Sequence, residues 1–296
     1  MPFLRPSPWF VFLSLSLASL AAEPPLRLAL SERIVVGVNV NDARAAMAVW
    51  GQALVSSSGF HLPADQDWVL PSQAIVNSLR AGKIDLFCIT IEELSRVRDA
   101  VELDDVIIDD RSSREMLLIV HRDSNIQSLA ELRRRSLLIV DSPGTQLADA
   151  WLGLELSRAG LPAPAAHFAS VARNSKPAQV VLPVFFRQAD AAIVPKDVLA
   201  TMVDLNPQLG QAFRQLSVSP KLISSFFATR RGFPASNRNR LYSYILATRS
   251  EPANRQILTL FRSPGYKRCN YSCIQSSIEL FENFHRLPSS QKRGKP

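Results

Sequence analysis

Short apolar runs alternate with amphipathic segments from residue 34 to residue 285, and this alternation limits the fold more than any other feature of the chain. Strands joined by helical crossovers must lie parallel to their neighbours, with helices covering both faces of the sheet. The pattern predicts strands near residues 34–40, 68–70, 84–89, 106–108, 116–121, 168–171, 191–194, 213–218 and 223–229. It predicts helices over residues 72–81, 178–187, 197–206, 236–248, 251–261 and 271–285. Local signals agree. Asn41-Asp42 reads as the cap of a helix that carries Ala43, Met47, Trp50 and Leu54 on one face and closes at Gly59. Thr90 with Glu93, and Ser128 with Glu131, have capping-box spacing.

One stretch carries chemistry. Residues 136–152 read as a strand, a turn Ser142-Pro-Gly-Thr145, and a helix that opens directly from the turn. Such a turn offers backbone N–H groups and the positive end of a helix dipole to an anion, and Ser142 and Thr145 add hydroxyls. Taken alone it is unspecific, since every strand-to-helix turn has N–H groups to offer.

Composition excludes several classes. At 296 residues the chain has room for two medium domains, and 47% apolar residues supply a packed core. The net charge of +8 is scattered; the dense runs Arg133-Arg134-Arg135 and Lys292-Arg293-Gly294-Lys295 lack interleaved aromatics, so no nucleic-acid surface is expected. Arg5, an apolar run over residues 9–20 and the small pair Ala21-Ala22 describe a signal peptide over residues 1–22, with an uncleaved anchor as the alternative. The mature chain is then expected in the periplasm. Of three cysteines, Cys88 lies in an apolar strand and reads as core, while Cys269 and Cys273 are spaced for a possible small disulfide. No zinc-protease, nucleophile-elbow or phosphate-loop motif occurs, so neither an enzyme nor a cofactor is expected. The Asp104-Asp105 and Asp109-Asp110 pairs read as solvated strand ends rather than a metal site.

Two segments echo each other: helix, tight turn, Asp and buried strand run through Asp85 and again through Asp190. Two similar α/β units suggest two lobes whose loops face one cleft.

The order of Leu79-Arg-Ala-Gly-Lys-Ile-Asp85, Thr90-Ile-Glu-Glu-Leu94, Ser124-Asn-Ile-Gln-Ser-Leu-Ala-Glu-Leu132, the Ser142 turn and Val181-Leu-Pro-Val-Phe-Phe-Arg-Gln-Ala-Asp-Ala192 resembles one family. It is similar to the phosphate/phosphite/phosphonate-type substrate-binding proteins of ABC importers. The resemblance implies an α/β, two-lobed type 2 periplasmic binding protein fold, each lobe a mixed sheet flanked by helices. Lobe 1 would comprise residues 32–120 plus 219–285 and lobe 2 residues 121–218, with crossings near 121–122 and 217–220 and a disordered basic tail over 286–296. It carries the family's hydroxyl turn onto Ser142 and Thr145, with Gly144 allowing close backbone approach. Asn41, Ser72 and Thr90 in the first lobe, and Asn174, Lys176 and Lys196 in the second, complete the candidate ligand residues. The family's Ser-His pair is replaced here by Asn174-Ser-Lys176, and Asn41-Asp42 stands where an aromatic is usual. The implied function is capture of a small, anionic ligand by a monomer that delivers it to an inner-membrane ABC permease. The alternative is a sensing domain of the same fold that signals to a membrane kinase or cyclase.

Overall fold

The computed structural model describes residues 25–35, 37–111, 114–247, 255, 258–259 and 263–292. The signal peptide expected over residues 1–22, and most of the helix expected over residues 251–261, lie outside the described residues.

The first strand, β1 (Leu28–Ser31), lies between parallel neighbours and is buried at all four positions because its two faces meet different cores, Ala29 in one and Leu28 and Leu30 in the other. It is followed by α1 (Val40–Ser58), β2 (Val69–Leu70), α2 (Ser72–Arg80), β3 (Leu86–Thr90), α3 (Ile91–Val97) and β4 (Val106–Asp109). Leu30 of β1 pairs with Val69 of β2, and Leu28 pairs with Leu86 of β3. The run at residues 34–40, expected as a strand, is not one. Residues Glu32–Ile34 form a 3-10 turn, and α1 is capped by Asn39, whose Oδ1 accepts the Asn41 N–H at 2.8 Å. Asn41 therefore sits inside the first helical turn instead of capping it. At the far end of α1, Gly59 adopts φ 74° and donates to the Val55 carbonyl at 2.9 Å, a left-handed C-cap that favours glycine.

After β4 the chain crosses into a second sheet and enters it as β5 (Met116–His121). It continues through β6 (Ser136–Val140), α4 (Ala148–Arg158), α5 (Pro164–His167), β7 (Ser170–Asn174), α6 (Ala178–Phe185), β8 (Ala191–Pro195), α7 (Lys196–Leu205), α8 (Gln208–Ala212) and β9 (Phe213–Val218). Strands β6, β7 and β8 are parallel, whereas β5 runs antiparallel to both β8 and β9. The return crossing leads to β10 (Ser225–Thr229), which lies antiparallel between β3 and β4. Two mixed sheets result, one of order β11-β4-β10-β3-β1-β2 and one of order β7-β6-β8-β5-β9.

The crossings fall between β4 and β5 and between β9 and β10, not at residues 121–122, because β5 already pairs within the second sheet. The crossing segments pair with each other: the Arg114 N–H donates to the Leu222 carbonyl at 3.0 Å, and the Leu222 N–H returns the bond at 2.9 Å.

The chain ends with α9 (Ala235–Leu246), β11 (Tyr266–Cys269), α10 (Ser272–Arg286) and α11 (Ser289–Lys292). Strand β11 was not expected from the sequence; it is an edge strand paired with β4 through Lys267 and Ile108. The tail expected to be disordered from residue 286 is ordered as far as Lys292, since Leu287 packs on the main core and Lys292 Nζ donates to the His285 carbonyl. Residues 293–296 lie outside the described residues.

Helix α10 ties the lobes together. One continuous core contains Phe87 of the first lobe, Trp151 of the second, Ile223 of the return crossing and Ile278 of α10. Ser277 Oγ accepts the Ile223 N–H at 2.8 Å, and Arg98 donates to Glu282 at 2.7 Å and to the Tyr271 hydroxyl at 2.8 Å. Cys269 and Cys273 stand side by side where β11 meets the first turn of α10, with Cα atoms 6.3 Å apart, within the reach of a disulfide.

Candidate functional site

Parallel strands followed by helices place every helix N-terminus at the carboxyl edge of its sheet, where ligands of open α/β sheets bind. In the first lobe this edge carries the starts of α1, α2 and α3; in the second it carries the Ser142 turn and the starts of α6 and α7. The two edges meet. Gln146 Nε2, just after the Ser142 turn, donates to the main-chain carbonyl of Arg33 in the 3-10 turn after β1.

On the first-lobe edge the candidate residues are engaged with acids. Thr90 is 2% exposed, and its N–H and hydroxyl both donate to Glu93 Oε2, at 2.9 and 3.1 Å. Glu93 is fully buried and takes a further bond of 2.5 Å from Ser31 Oγ. The Ser72 N–H donates to Glu32 Oε1 at 3.2 Å, while its hydroxyl accepts from Arg96 at 3.0 Å. Arg33 forms a two-pronged pair with Glu92 at 2.6 and 3.2 Å. Asp42 occupies the first turn of α1, where Asn41 accepts from Arg44 at 3.3 Å. The starts of α1, α2 and α3 each hold a carboxylate of the chain itself, which satisfies the helix dipole from within.

The second-lobe edge is built differently. Thr145 is fully buried, and its hydroxyl lies 2.5 Å from the Val140 carbonyl and 3.0 Å from the Ser142 carbonyl. A hydroxyl has one hydrogen, so this one is consumed inside the turn. The expectation that Thr145 donates to a ligand is corrected on this ground: its side chain, which also accepts the Ser142 N–H at 3.1 Å, holds the turn in shape. Ser142 and Gly144 are half-buried at the edge. Asn174 Nδ2 donates to Gln179 at 2.6 Å, and its Oδ1 accepts the Lys176 N–H at 2.9 Å; the Lys176 side chain is exposed. Lys196 Nζ lies 2.6 Å from Glu115 Oε2, and that hydrogen bond holds the Glu115 carboxyl below its ordinary pKa.

Two residues at this edge were not singled out in the sequence. Gln146 makes the contact between lobes. Arg114, on the outgoing crossing, lays its side chain over the turn: a Cβ at Gly144 would stand 3.3 Å from Arg114 Cδ and 3.7 Å from Nη1. Its Nε donates to the Arg111 carbonyl at 2.6 Å, and Nη1 lies 3.3 Å from Asp197 Oδ2. No motif marks either residue; the only available signal is that crossing segments line the cleft of any two-lobed α/β protein.

The acidic pairs expected to be solvated are in part structural. Asp105 takes Arg238 Nε at 2.9 Å and Arg268 Nε at 2.5 Å. Among the described residues, no cluster of three or more His, Cys, Asp or Glu is placed to hold a metal, and no helix is long and apolar enough to cross a membrane.

A family model described as ABC transporter, phosphonate, periplasmic substrate-binding protein matches residues 61–272. The chain belongs to that family. Its members are substrate-binding proteins rather than enzymes, and they work with a small-molecule ligand and a membrane permease. Solved structures with the same fold include XAC2383 from Xanthomonas citri bound to chloride ion, at TM-score 0.60 and 17% identity over 88% of this chain and 98% of that one. PhnD1 from Prochlorococcus marinus, in complex with methylphosphonate, superposes at TM-score 0.57 and 14% identity over 88% and 98%. A binding-protein component of an ABC phosphonate transporter from Pseudomonas aeruginosa gives TM-score 0.56 and 12% identity over 90% and 92%. No curated protein matches the chain by sequence.

Proposed function

We propose that this protein is exported to the periplasm and captures a small oxyanion of the phosphate or phosphonate kind between its lobes, as a monomer, for an ABC importer. The observation that carries the reading is the Ser142 turn, which faces the first lobe through the Gln146–Arg33 contact and lies under the Arg114 guanidinium. Pro143 has no N–H, and those of Ser142 and Thr145 are given within the turn, so what the turn offers an anion is the Gly144 N–H and the Ser142 hydroxyl, with the charge of the cation above them. Family membership, and a neighbour in the same fold that holds methylphosphonate, support the same ligand chemistry. Ser142, Gly144, Asn174, Lys176 and Lys196 remain the second-lobe candidates for contact; in the first lobe Asn41 and the Ser72 hydroxyl remain, the Thr90 N–H and hydroxyl being given to Glu93.

Thermal-shift measurements against phosphate, phosphite, methylphosphonate and sulfate test the reading. A ligand at a hundredfold excess over its dissociation constant stabilises by about 2.7 kcal/mol, which is readily detected. No shift with any of these anions overturns it. Export is tested separately by sequencing the N-terminus of the periplasmic protein, which should begin near Ala22 or Glu23.

A second reading has its own observation. Helix α10 packs on both lobes, and Arg33, Arg114 and Lys196 at the cleft edge are already paired with carboxylates of the chain. These ties favour a sensing domain that reports to a membrane kinase or cyclase with little lobe motion. Small-angle scattering with saturating methylphosphonate separates the two: importer-type capture shrinks the radius of gyration, and a rigid sensor leaves it unchanged.

A further inference from the structure

We propose that the Arg114 guanidinium is the group that grips the anionic end of the ligand, and that Asp197 is the carboxylate with which the ligand exchanges. The inference rests on the oxyanion reading above and adds to it the residue that sets the charge requirement.

Position comes first. Arg114 is fixed at the backbone by its paired bonds with Leu222, at 3.0 and 2.9 Å, where the two crossing segments meet. Its Nε is anchored on the Arg111 carbonyl at 2.6 Å. The side chain is thereby aimed from the hinge across Gly144 and onto the edge that carries Ser142. A substituent at Gly144 would meet Arg114 Cδ at 3.3 Å, tighter than ordinary van der Waals contact, so the glycine is what lets the guanidinium lie this close to the turn.

Lys176 is exposed, in water that weakens its attraction for an anion. The choice among the paired cations follows from how each is held. Arg33 is bound by both oxygens of Glu92, at 2.6 and 3.2 Å. Lys196 is bound by Glu115 at 2.6 Å, and Arg173 by Asp149 at 2.8 Å. Arg114 has the longest of these contacts with its acid, 3.3 Å to Asp197. An arginine binds an oxyanion best through two parallel N–H bonds, a geometry that this contact does not use. Exposure points the same way. The Arg114 side chain is 22% exposed and that of Asp197 is 46% exposed, so the carboxylate can turn to water while the guanidinium stays in the less polar cleft. Attraction between charges strengthens as the surrounding dielectric falls, and the inner partner of the pair is the better anchor for an incoming anion.

The first lobe removes the competing arrangement. The Thr90 and Ser72 N–H groups are already given to Glu93 and Glu32, and buried Glu93 would repel an anion brought against the start of α3. The charge of the anion is therefore met from the second lobe and the hinge.

Calorimetric titration of the purified protein with methylphosphonate and with inorganic phosphate tests this, using R114Q, R114K and D197N. Loss of a charge-assisted pair should weaken binding of the better probe about ten- to a hundredfold in R114Q, with R114K intermediate because lysine keeps the charge and loses the fork. Removing the competing acid in D197N should tighten binding about two- to fivefold, the range of a partly exposed ion pair. Wild-type affinity in R114Q overturns the assignment and leaves the oxyanion reading standing. If the wild-type protein binds neither probe, the oxyanion reading fails and this inference with it. Should R114Q fail to fold, D197N decides, and an affinity unchanged from wild type overturns the exchange.

Discussion

Asp190 and Ser136 close a ring at the start of two parallel strands: Asp190 Oδ2 accepts the Ser136 N–H at 2.9 Å and its hydroxyl at 2.8 Å, and the Asp190 N–H returns to Ser136 Oγ at 2.9 Å. Asp85 does the same work in the other lobe, accepting the Arg27 N–H at 3.1 Å ahead of β1 and Arg230 Nε at 2.8 Å. The sequence echo around these two residues is thus one strand-start device used once per sheet. Asp190→Ala should cost about 1–3 kcal/mol, because the Ser136 N–H loses its acceptor in a partly buried place. Asp190→Asn should recover part of that through its remaining oxygen. Urea unfolding measures both, and an Ala variant as stable as wild type would show that the ring carries no net stability.

Thr145 holds its turn from inside. Thr145→Ala should lower stability by about 1–2 kcal/mol, and Thr145→Ser should keep most of it, because the serine hydroxyl still reaches the Val140 carbonyl. Anion affinity should change less than in R114Q. A Thr145→Ala protein of full stability but greatly weakened binding would return the hydroxyl to the ligand.

Gly153 is where α4 admits α10. A Cβ there would stand 2.5 Å from Phe284 Cε2 and 2.9 Å from Cδ2, too close for either ring atom. In an open helix Gly→Ala stabilises by about 1 kcal/mol, but overpacking costs about 1–3 kcal/mol, so the net effect should be destabilising. Adding Phe284→Leu should relieve the clash, and the double mutant should be more stable than the sum of the singles. Strict additivity would mean that the ring simply swings aside.

The cysteines should give a three-step labelling pattern. Cys88 is buried at 4% exposure, and burial pushes its thiol pKa up, so no thiol should alkylate in the native protein. Denaturation without reductant should expose Cys88 alone, and reduction should then release Cys269 and Cys273. Labelling of all three before reduction would show that the bridge is absent from the protein in solution.

Glu131 supplies a pH signature. Its carboxylate accepts the N–H groups of Gln127 at 2.5 Å and Ser128 at 3.0 Å, and these bonds, the Gln127 bond foremost, hold its pKa below the ordinary value. A depressed folded pKa means that stability is fully present above the unfolded carboxylate range and is lost as pH falls through the folded value. Glu131→Gln should therefore lower stability at neutral pH and converge with wild type in acid, which flattens the acid limb of the stability profile. An acid limb identical to wild type would place that sensitivity elsewhere.

Most of the strand–helix order was legible because it is written in local periodicity: β5 and β9 occupy the residues that the pattern marks, and Thr90 with Glu93 makes the capping box that its spacing announces. Where the chain departs from the pattern, pairing decided. Residues 34–40 have strand-like composition, yet Leu28–Ser31 is the strand, since only that segment lies in register with both Leu86 and Val69. Tyr266–Cys269 becomes an edge strand through β4, a partner more than 150 residues away that no local signal can reveal. The site divides in the same way. The sequence by itself determined a strand, a hydroxyl turn and a helix at Ser142, because such turns follow from residue type and spacing. Only the tertiary structure turned the Thr145 hydroxyl inward and brought Arg114 from the hinge onto Gly144, because the direction of a side chain depends on what the rest of the chain packs around it.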